Sequence, residues 1–243
     1  MCIVRILTYW YASQQVYVRW RNTYSDGFAT ICGVRQGSVL SPYLFCVYMD
    51  DLSSDLNELN IGCILGNQKI NHIMCAYDLL LLSPSATGLS TLIKTTELFG
   101  AAHDILFNSD KSKIMIFTCK LLDKNTVSDF TISGCHIPLC NSFTYLGHIL
   151  CVNMKDDSDI ERQCKRIYAQ GNTLLRKFGM CSEAVKCTLF QTFCTPMYTA
   201  HLWLNHTKAV INKLYIAYNN IGRYLFDEPK YPSGHSSSIP RGI

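Results

Sequence analysis

One stretch constrains this chain more than any other, the run NHIMCAYDLLLLSPS at residues 71–85. An apolar run leads into Cys75-Ala76-Tyr77-Asp78, and a second apolar run, Leu79 to Leu82, leads out of it. Two apolar runs joined by a short connection and ended by Ser-Pro-Ser are typical of a β-hairpin. The pattern therefore predicts a hairpin that holds an acidic side chain, Asp78, at its tip.

A second informative segment lies upstream, GVRQGSVLSPYL at residues 33–44. Its first part is a glycine-containing loop that includes Gln36 and Gly37, where the absence of a side chain lets another molecule approach the backbone closely. Ser41-Pro42 then favours a helix start, with Ser41 as the N-cap. The apolar residues that follow predict one helix that fades near Leu56. An ordinary loop-to-helix connection is the alternative interpretation of this segment.

Simple patterns predict the remaining elements. Val16 to Arg21 alternates like a strand and returns at residues 28–32, with a turn at Ser25-Asp26-Gly27. Short strands are predicted over 62–65 and 69–74 with a turn at Gly66-Asn67, a helix over 86–102, and one further strand over 143–150. The composition changes after Asp156-Asp157-Ser158-Asp159, and helices are predicted over about 160–178, 182–200 and 206–226.

Together, the hairpin and the loop-to-helix segment resemble the reverse transcriptase palm of non-LTR retrotransposons. Further motifs follow in the same order as in the family, and the resemblance extends over roughly residues 5–225. The resemblance implies an α+β fold with a partial polymerase palm, its N-terminal strand missing, followed by an all-helical thumb. The implied domains are a palm over 1–155, a thumb over 156–228 and a flexible tail over 229–243.

The resemblance also implies roles for single residues. Gln36 and Gly37 would lie near the incoming nucleotide and the template, and Asp78 would be one of a pair of metal-binding acids. Lys111, in Asn-Ser-Asp-Lys-Ser, matches a lysine thought to protonate the pyrophosphate leaving group, unless it is an ordinary surface lysine. Gly147, in Tyr-Leu-Gly, matches the strand that grips the primer end, unless it marks a β-bulge.

The catalytic motif departs from the family's pattern. The family's hairpin reads Tyr-Ala-Asp-Asp, and here Tyr77 stands where the first acid belongs. A phenol keeps its proton at neutral pH and is a poor ligand for Mg²⁺, the family's cofactor. A shifted alignment that gives Tyr-Asp-Leu also lacks the paired acids. A further family Asp comes from a strand before the region that matches Val4, and we expect that strand to be missing.

Tyr48-Met49-Asp50-Asp51 spells the box of retroviral reverse transcriptases. It lies inside the helix predicted from Ser41, and neighbouring residues on a helix point about 100° apart. We therefore interpret Asp50 and Asp51 as acids on a helix surface and the short match as a false positive.

Charge divides unequally along the chain. Residues 1–155 carry 11 Lys/Arg and 11 Asp/Glu, whereas residues 156–243 carry 11 Lys/Arg and 7 Asp/Glu. A basic second half suits contact with a phosphate backbone, and Arg162, Lys165 and Arg166 are the candidate contacts. The resemblance names the partners as an RNA template and a DNA primer. A solvated helical surface explains the charge equally well.

Composition excludes several classes of protein. With 48% hydrophobic and 16% charged residues the chain is expected to fold, and no apolar run reaches the ~18 residues of a membrane span. Thirteen cysteines without framework spacing favour reduced thiols in an intracellular protein of the nucleus or cytoplasm. The sequence leaves three functions open: a reverse transcriptase domain with absent or impaired activity, a catalytically silent nucleic-acid-binding module, and a relic without a selected role. The second rests on the basic helices and on aromatic candidates such as Tyr198, Trp203 and Tyr215.

Overall fold

The computed structural model describes residues 2–30, 37–117 and 129–226. These residues form a mixture of helices and short strands, and the chain divides into two compact units, Met1–Phe107 and Asn108–Ile243. The predicted combination of α and β structure is confirmed. The palm and thumb, with their boundary at 155/156, stay predictions, and the proposed tail over 229–243 lies outside the described residues.

The first unit opens with a helix and two small antiparallel pairs of strands. These elements are α1 (Cys2–Ala12), β1 (Gln15–Val16), β2 (Arg19–Trp20), β3 (Thr23–Tyr24) and β4 (Phe28–Ala29). The tight turn lies at Arg21-Asn22, so the turn predicted at Ser25-Asp26-Gly27 is wrong. Ser25 instead pairs across the ladder, since its N–H donates to the Val18 carbonyl at 2.9 Å and its hydroxyl accepts from the Val18 N–H at 3.0 Å.

The helix predicted from Ser41 to Leu56 is two helices, α2 (Ser41–Tyr48) and α3 (Asp50–Glu58). The break falls at Met49, whose backbone has φ −89° and ψ −2° and whose side chain is 3% exposed. Leu40, one residue before Ser41, occupies the N-cap position, so the predicted cap is wrong by one residue. The junction turns the chain while keeping Met49 in the core.

Two hairpins and a long helix complete the first unit. They are β5 (Cys63–Leu65) with β6 (Gln68–Ile70), β7 (His72–Cys75) with β8 (Asp78–Leu81), and α4 (Ala86–Ala102). Both hairpins are confirmed, and α4 is capped by the Ser85 hydroxyl, which accepts from the Gly88 N–H at 3.1 Å. The core of this unit joins α3 to α4 through Met49, Leu52, Leu56, Leu92 and Phe99.

The second unit combines two hairpins with three long helices. Its elements are β9 (Thr131–Ile132), β10 (Cys135–His136), β11 (Ser142–Tyr145), β12 (His148–Cys151), α5 (Asp157–Phe178), α6 (Glu183–Phe193) and α7 (Lys208–Phe226). The single strand predicted over 143–150 is wrong. Leu146 and Gly147 both adopt positive φ, +45° and +80°, and this left-handed pair turns the chain back on itself.

The helices α5 and α7 confirm the predicted ones, whereas α6 ends earlier than predicted. Pro196 disfavours helical backbone at the residue before it and offers no N–H, so the helix stops at Phe193. Residues shared by the three helices form the core of the unit: Ile160, Cys164, Ile167, Leu174, Phe190, Cys194, Val210, Leu214, Ala217, Ile221 and Leu225. None of the helices in the described part of the chain is both long and apolar enough to cross a membrane.

A buried carboxylate, Asp159 near the start of α5, ties the second unit together. Its Oδ1 accepts from the Ile149 N–H at 3.1 Å and from Arg162 at 2.6 and 3.0 Å. Its Oδ2 accepts from the Thr199 hydroxyl at 2.7 Å and from the Trp203 indole N–H at 2.8 Å. Burial alone would raise the pKa of Asp159, but the hydrogen bonds from Trp203, Thr199 and Arg162 outweigh it and lower the pKa to about 2.

Acid should weaken the second unit through Asp159. Its pKa is about 2 in the folded chain against an ordinary 3.8, so its stabilisation is complete above that ordinary value and disappears as the pH falls through the folded one. The shift corresponds to about 2 kcal/mol of the free energy of unfolding. Urea unfolding followed by circular dichroism across this pH range measures it.

The variant Asp159→Asn should be less stable at neutral pH and should lose less stability on acidification. Asp129, whose side chain is 90% exposed, supplies the matched control Asp129→Asn, which should behave like the wild type. An identical acid-induced loss in the wild type and in Asp159→Asn would contradict the assignment.

Close packing of α5 on α7 should make a side chain at Gly171 destabilising. A Cβ on Gly171 would lie 2.7 Å from Ile221 Cδ1, whereas a Cβ on Gly222 would meet nothing within 4 Å. Gly171→Ala should therefore cost about 1–3 kcal/mol through overpacking. Gly222→Ala should instead stabilise α7 by up to about 1 kcal/mol. Thermal unfolding of both variants measures the difference, and equal melting temperatures would contradict this packing.

Candidate functional site

The predicted acidic hairpin is confirmed as the pair β7–β8. Its turn consists of Ala76, at φ +51°, and Tyr77, and the last strand pair joins Cys75 to Asp78. The Tyr77 side chain is 82% exposed, and Asp78 is exposed beside it. Tyr77 and Asp78 are thus adjacent and exposed at the turn of the hairpin.

The base of the same hairpin is held firmly. The Asn71 side-chain amide donates to the Leu56 carbonyl at 2.5 Å, and the two ring nitrogens of His72 lie 2.8 Å from the Ser53 hydroxyl and 2.7 Å from the Asn71 side-chain oxygen. Burial lowers the pKa of His72, which favours its neutral ring at this position. These bonds fix the base of the hairpin to α3.

The donors at the turn do not fit a two-metal centre. Such a centre needs several carboxylates close together, because each ion is held mainly by charged oxygens. Tyr77 supplies a phenol and Asp78 a single carboxylate. Across residues 2–30, 37–117 and 129–226, no group of three or more His, Cys, Asp or Glu side chains could hold a metal ion.

The retroviral-type box lies across the junction of α2 and α3 and not inside one helix as predicted, but its two acids are on a helix surface. Asp50 and Asp51 are both exposed and occupy the first turn of α3. There the partial positive charge of a helix N-terminus stabilises acidic side chains. Their interpretation as acids on a helix surface is confirmed.

Of three other predicted site residues, two lie in turns and one lies outside the described residues. Gln36 lies outside the described residues. Gly37 adopts φ +78°, and a Cβ there would meet nothing within 4 Å, so its backbone conformation alone accounts for a glycine. Lys111 is exposed in a turn where its backbone N–H donates to the Asn108 side-chain oxygen at 3.1 Å. The catalytic and substrate-binding roles of all three stay predictions.

The structure brings Gly147 and Arg162 together. The guanidinium donates through Nη2 to the Gly147 carbonyl at 2.5 Å, in addition to its bonds to Asp159. The buried carboxylate largely neutralises this arginine, so its main effect is to fasten the turn of β11–β12 to α5. The nucleic-acid contact predicted for Arg162 stays untested, but its net attraction for a phosphate is small.

Asp159 is the residue that sequence reasoning missed. The Asp-Asp-Ser-Asp run was interpreted only as a change of composition. A signal was present, because Asp159, Gln163 and Ile167 are spaced by four and therefore share one face of α5. An acid on the buried face of a helix, with an arginine three residues later, predicts a buried pair.

Exposed cations lie along one side of α5. At 100° per residue they fall within an arc of about 120° that adjoins the buried residues, since Lys177 lies at the same angle as buried Asp159. The members are Lys165, Arg166, Arg176 and Lys177. This set, called the α5 basic face below, includes two of the three predicted contacts.

The aromatic candidates in this unit differ in their availability. Tyr198 and Tyr215 are 74% and 64% exposed. Trp203 is partly buried, and its indole N–H is bonded to Asp159. Only the two tyrosines present ring faces to a ligand.

Comparisons with known proteins agree on one family. The family model described as reverse transcriptase (RNA-dependent DNA polymerase) matches residues 3–150. A probable RNA-directed DNA polymerase from transposon X-element of Drosophila melanogaster is 24% identical over 213 residues, which is 86% of this chain and 23% of that protein. The Pol polyprotein from type-2 retrotransposable element R2DM of the same fly is 30% identical over 145 residues, covering 54% of this chain and 14% of that protein.

A similar protein from type-1 retrotransposable element R2 of Nasonia vitripennis is 42% identical over 65 residues, 27% of this chain and 6% of that protein. The chain thus spans less than a quarter of the length of each of these relatives. The family model nevertheless covers more than half of the chain, in agreement with the motifs around the β7–β8 hairpin. This chain belongs to the reverse transcriptase family and is a reverse transcriptase domain of the non-LTR retrotransposon type.

Proposed function

We propose that this reverse transcriptase domain has lost most or all of its polymerase activity. The activity of the family is RNA-directed DNA synthesis from dNTPs on an RNA template with a DNA primer, and it depends on paired carboxylates that hold Mg²⁺. The observation that carries the proposal is Tyr77, which occupies the turn of β7–β8 beside Asp78. A phenol there leaves one carboxylate where the family's motif has two.

The local environment offers no compensation for the missing acid. Tyr77 is 82% exposed, so mostly water and little protein surrounds its side chain. Mg²⁺ sheds its water reluctantly and binds weakly to a single exposed carboxylate. The hairpin is therefore firmly held at its base, while its turn offers too few ligands for a pair of metal ions.

Primer extension tests this proposal directly. On a poly(rA)/oligo(dT) substrate with dTTP and either Mg²⁺ or Mn²⁺, the wild-type chain should add no more nucleotides than Asp78→Asn. The reason is that removing Asp78 cannot abolish an activity that Tyr77 has already removed. Robust synthesis that needs the metal and disappears in Asp78→Asn would overturn the proposal.

Metal titration tests whether position 77 can act as a metal ligand. Tyr77→Asp restores two adjacent carboxylates and should bind Mn²⁺ more tightly than the wild type in electron paramagnetic resonance titrations. Tyr77→Phe is the matched control and should bind Mn²⁺ like the wild type. Equal Mn²⁺ affinity in Tyr77→Asp and Tyr77→Phe would mean that this turn is not a metal position.

A second function has its own support, namely nucleic-acid binding without catalysis. The side chains of the α5 basic face are exposed, which suits contact with phosphates. In this proposal residues 156–228 act as a thumb that holds an RNA–DNA duplex, and residues 1–155 form the palm. Lys165 and Arg166 supply the principal charge, while Arg162 fastens the adjoining turn.

Binding should depend on salt and on the α5 basic face. The double variant Lys165→Glu/Arg166→Glu should bind an RNA–DNA duplex at least tenfold more weakly, with a smaller salt slope, because phosphate contacts release counterions. Fluorescence anisotropy at several salt concentrations measures both quantities. Lys94→Glu/Lys208→Glu, at exposed positions on α4 and α7, makes the same change in net charge and should bind nearly like the wild type.

Arg162 is excluded from this comparison because a glutamate there would face Asp159 and unfold the unit. Equal losses in both double variants would indicate a nonspecific charge effect and refute the α5 basic face. An absence of binding at every salt concentration would favour a relic without a selected role.

A further inference from the structure

Tyr198 has an exposed position that packing does not explain. Its side chain is 74% exposed and lies in the segment between α6 and α7. The next residue, Thr199, is 1% exposed and donates its hydroxyl to Asp159 at 2.7 Å. The backbone at this point is therefore fixed while the aromatic ring faces water.

The ring lies beside the turn of β11–β12. Tyr198 Cδ1 is 3.9 Å from the position that a Cβ on Gly147 would take. The Gly147 carbonyl in turn accepts from Arg162, which is bonded to Asp159. One carboxylate thus fixes both neighbours, the turn through Oδ1 and the tyrosine segment through Oδ2.

Positive charge lies close to the segment that carries the ring. Arg166 Nη1 donates to the carbonyl of Pro196, two residues before Tyr198, at 3.5 Å. Arg166 is exposed and belongs to the α5 basic face. An exposed aromatic ring and an exposed arginine on the same fixed segment are the combination that binds single strands, with a base on the ring and a phosphate at the guanidinium.

We propose that Tyr198 is a stacking platform for an unpaired base, and that Thr199 and Asp159 are positioning residues that fix the backbone from which its ring projects. The proposal rests on the proposed nucleic-acid-binding function and specifies the strand that this part of the second unit accepts. Bases in a duplex are stacked on each other and offer no free face, so the ring distinguishes unpaired from paired strands. Fixing this backbone before binding reduces the conformational entropy lost in the complex.

Binding of two probes by the full chain tests the platform. Fluorescence anisotropy with labelled oligo(dT), and separately with an oligo(dT)–oligo(rA) duplex of equal length, compares the wild type with Tyr198→Ala and Tyr198→Phe. Tyr198→Ala should weaken oligo(dT) binding about tenfold, the effect of losing one stacked base. Tyr198→Phe keeps the ring and should bind like the wild type. Duplex affinity should be unchanged in both, and Tyr215→Ala should alter neither probe.

The positioning role needs a readout that loss of stability alone would not change. Thr199→Val removes the hydroxyl bonded to Asp159, and Thr199→Ser retains it. In samples shown to be folded by circular dichroism, Thr199→Val should weaken oligo(dT) binding severalfold, and Thr199→Ser should restore it. Adding Tyr198→Ala to Thr199→Val should cost little more, because the misplaced ring no longer contributes.

The outcomes separate the two proposals. Wild-type binding of both probes with no effect of Tyr198→Ala would overturn the stacking platform and leave the nucleic-acid-binding proposal intact. Equal losses for oligo(dT) and duplex would overturn the preference for unpaired bases. Fully additive effects of Thr199→Val and Tyr198→Ala would overturn the positioning role. No binding of either probe by the wild type would refute the binding function itself, and the platform with it.

Discussion

The second unit depends on a charge that is fully removed from water. Burying a carboxylate is costly, and it is tolerated only where donors replace the lost hydration. Asp159 meets this requirement with donors from a strand, its own helix and the segment that precedes α7. Because those donors come from three different parts of the unit, the carboxylate specifies how they fit together as well as how stable they are. The α5 basic face and Tyr198 both inherit their positions from it.

In the first unit, the residues that hold the β7–β8 hairpin in place are different from those at its exposed turn. Asn71 and His72 hold the base of the β7–β8 hairpin on α3 through short hydrogen bonds. The turn beyond them contains Tyr77 where the family's motif has an acid. The hairpin is thus firmly held at its base, while its exposed turn carries a single acid, Asp78. Family membership is established from the comparison with the family model, whereas activity has to be judged from the side chains at the turn.

Local patterns predicted the periodic elements well. The helix α4, the hairpins β5–β6 and β7–β8, and the helices α5 and α7 follow from spacing, turns and caps. The errors share one cause, which is that backbone conformation at single residues is set by tertiary contacts. Met49 breaks a helix while remaining buried, and Leu146 adopts a left-handed conformation that its side chain does not signal.

The candidate site was predicted less completely than the fold. Motifs identified Tyr77, Asp78 and the cations of α5, because these residues lie in recognisable segments. Asp159 escaped because its partners Thr199 and Trp203 are 40 and 44 residues away in the sequence. No local pattern encodes such a contact. Arg162, predicted as a nucleic-acid contact, owes its main interactions to the same distant network.

The exposure of Tyr77 has a consequence for how such a chain persists. A side chain surrounded by solvent contributes little to folding, so replacing an acid there leaves the folded state almost untouched. Cellular quality control recognises exposed core and unfolded backbone, and it does not inspect catalytic competence. A substitution of this kind therefore removes a potential metal ligand without exposing the core or unfolding the backbone.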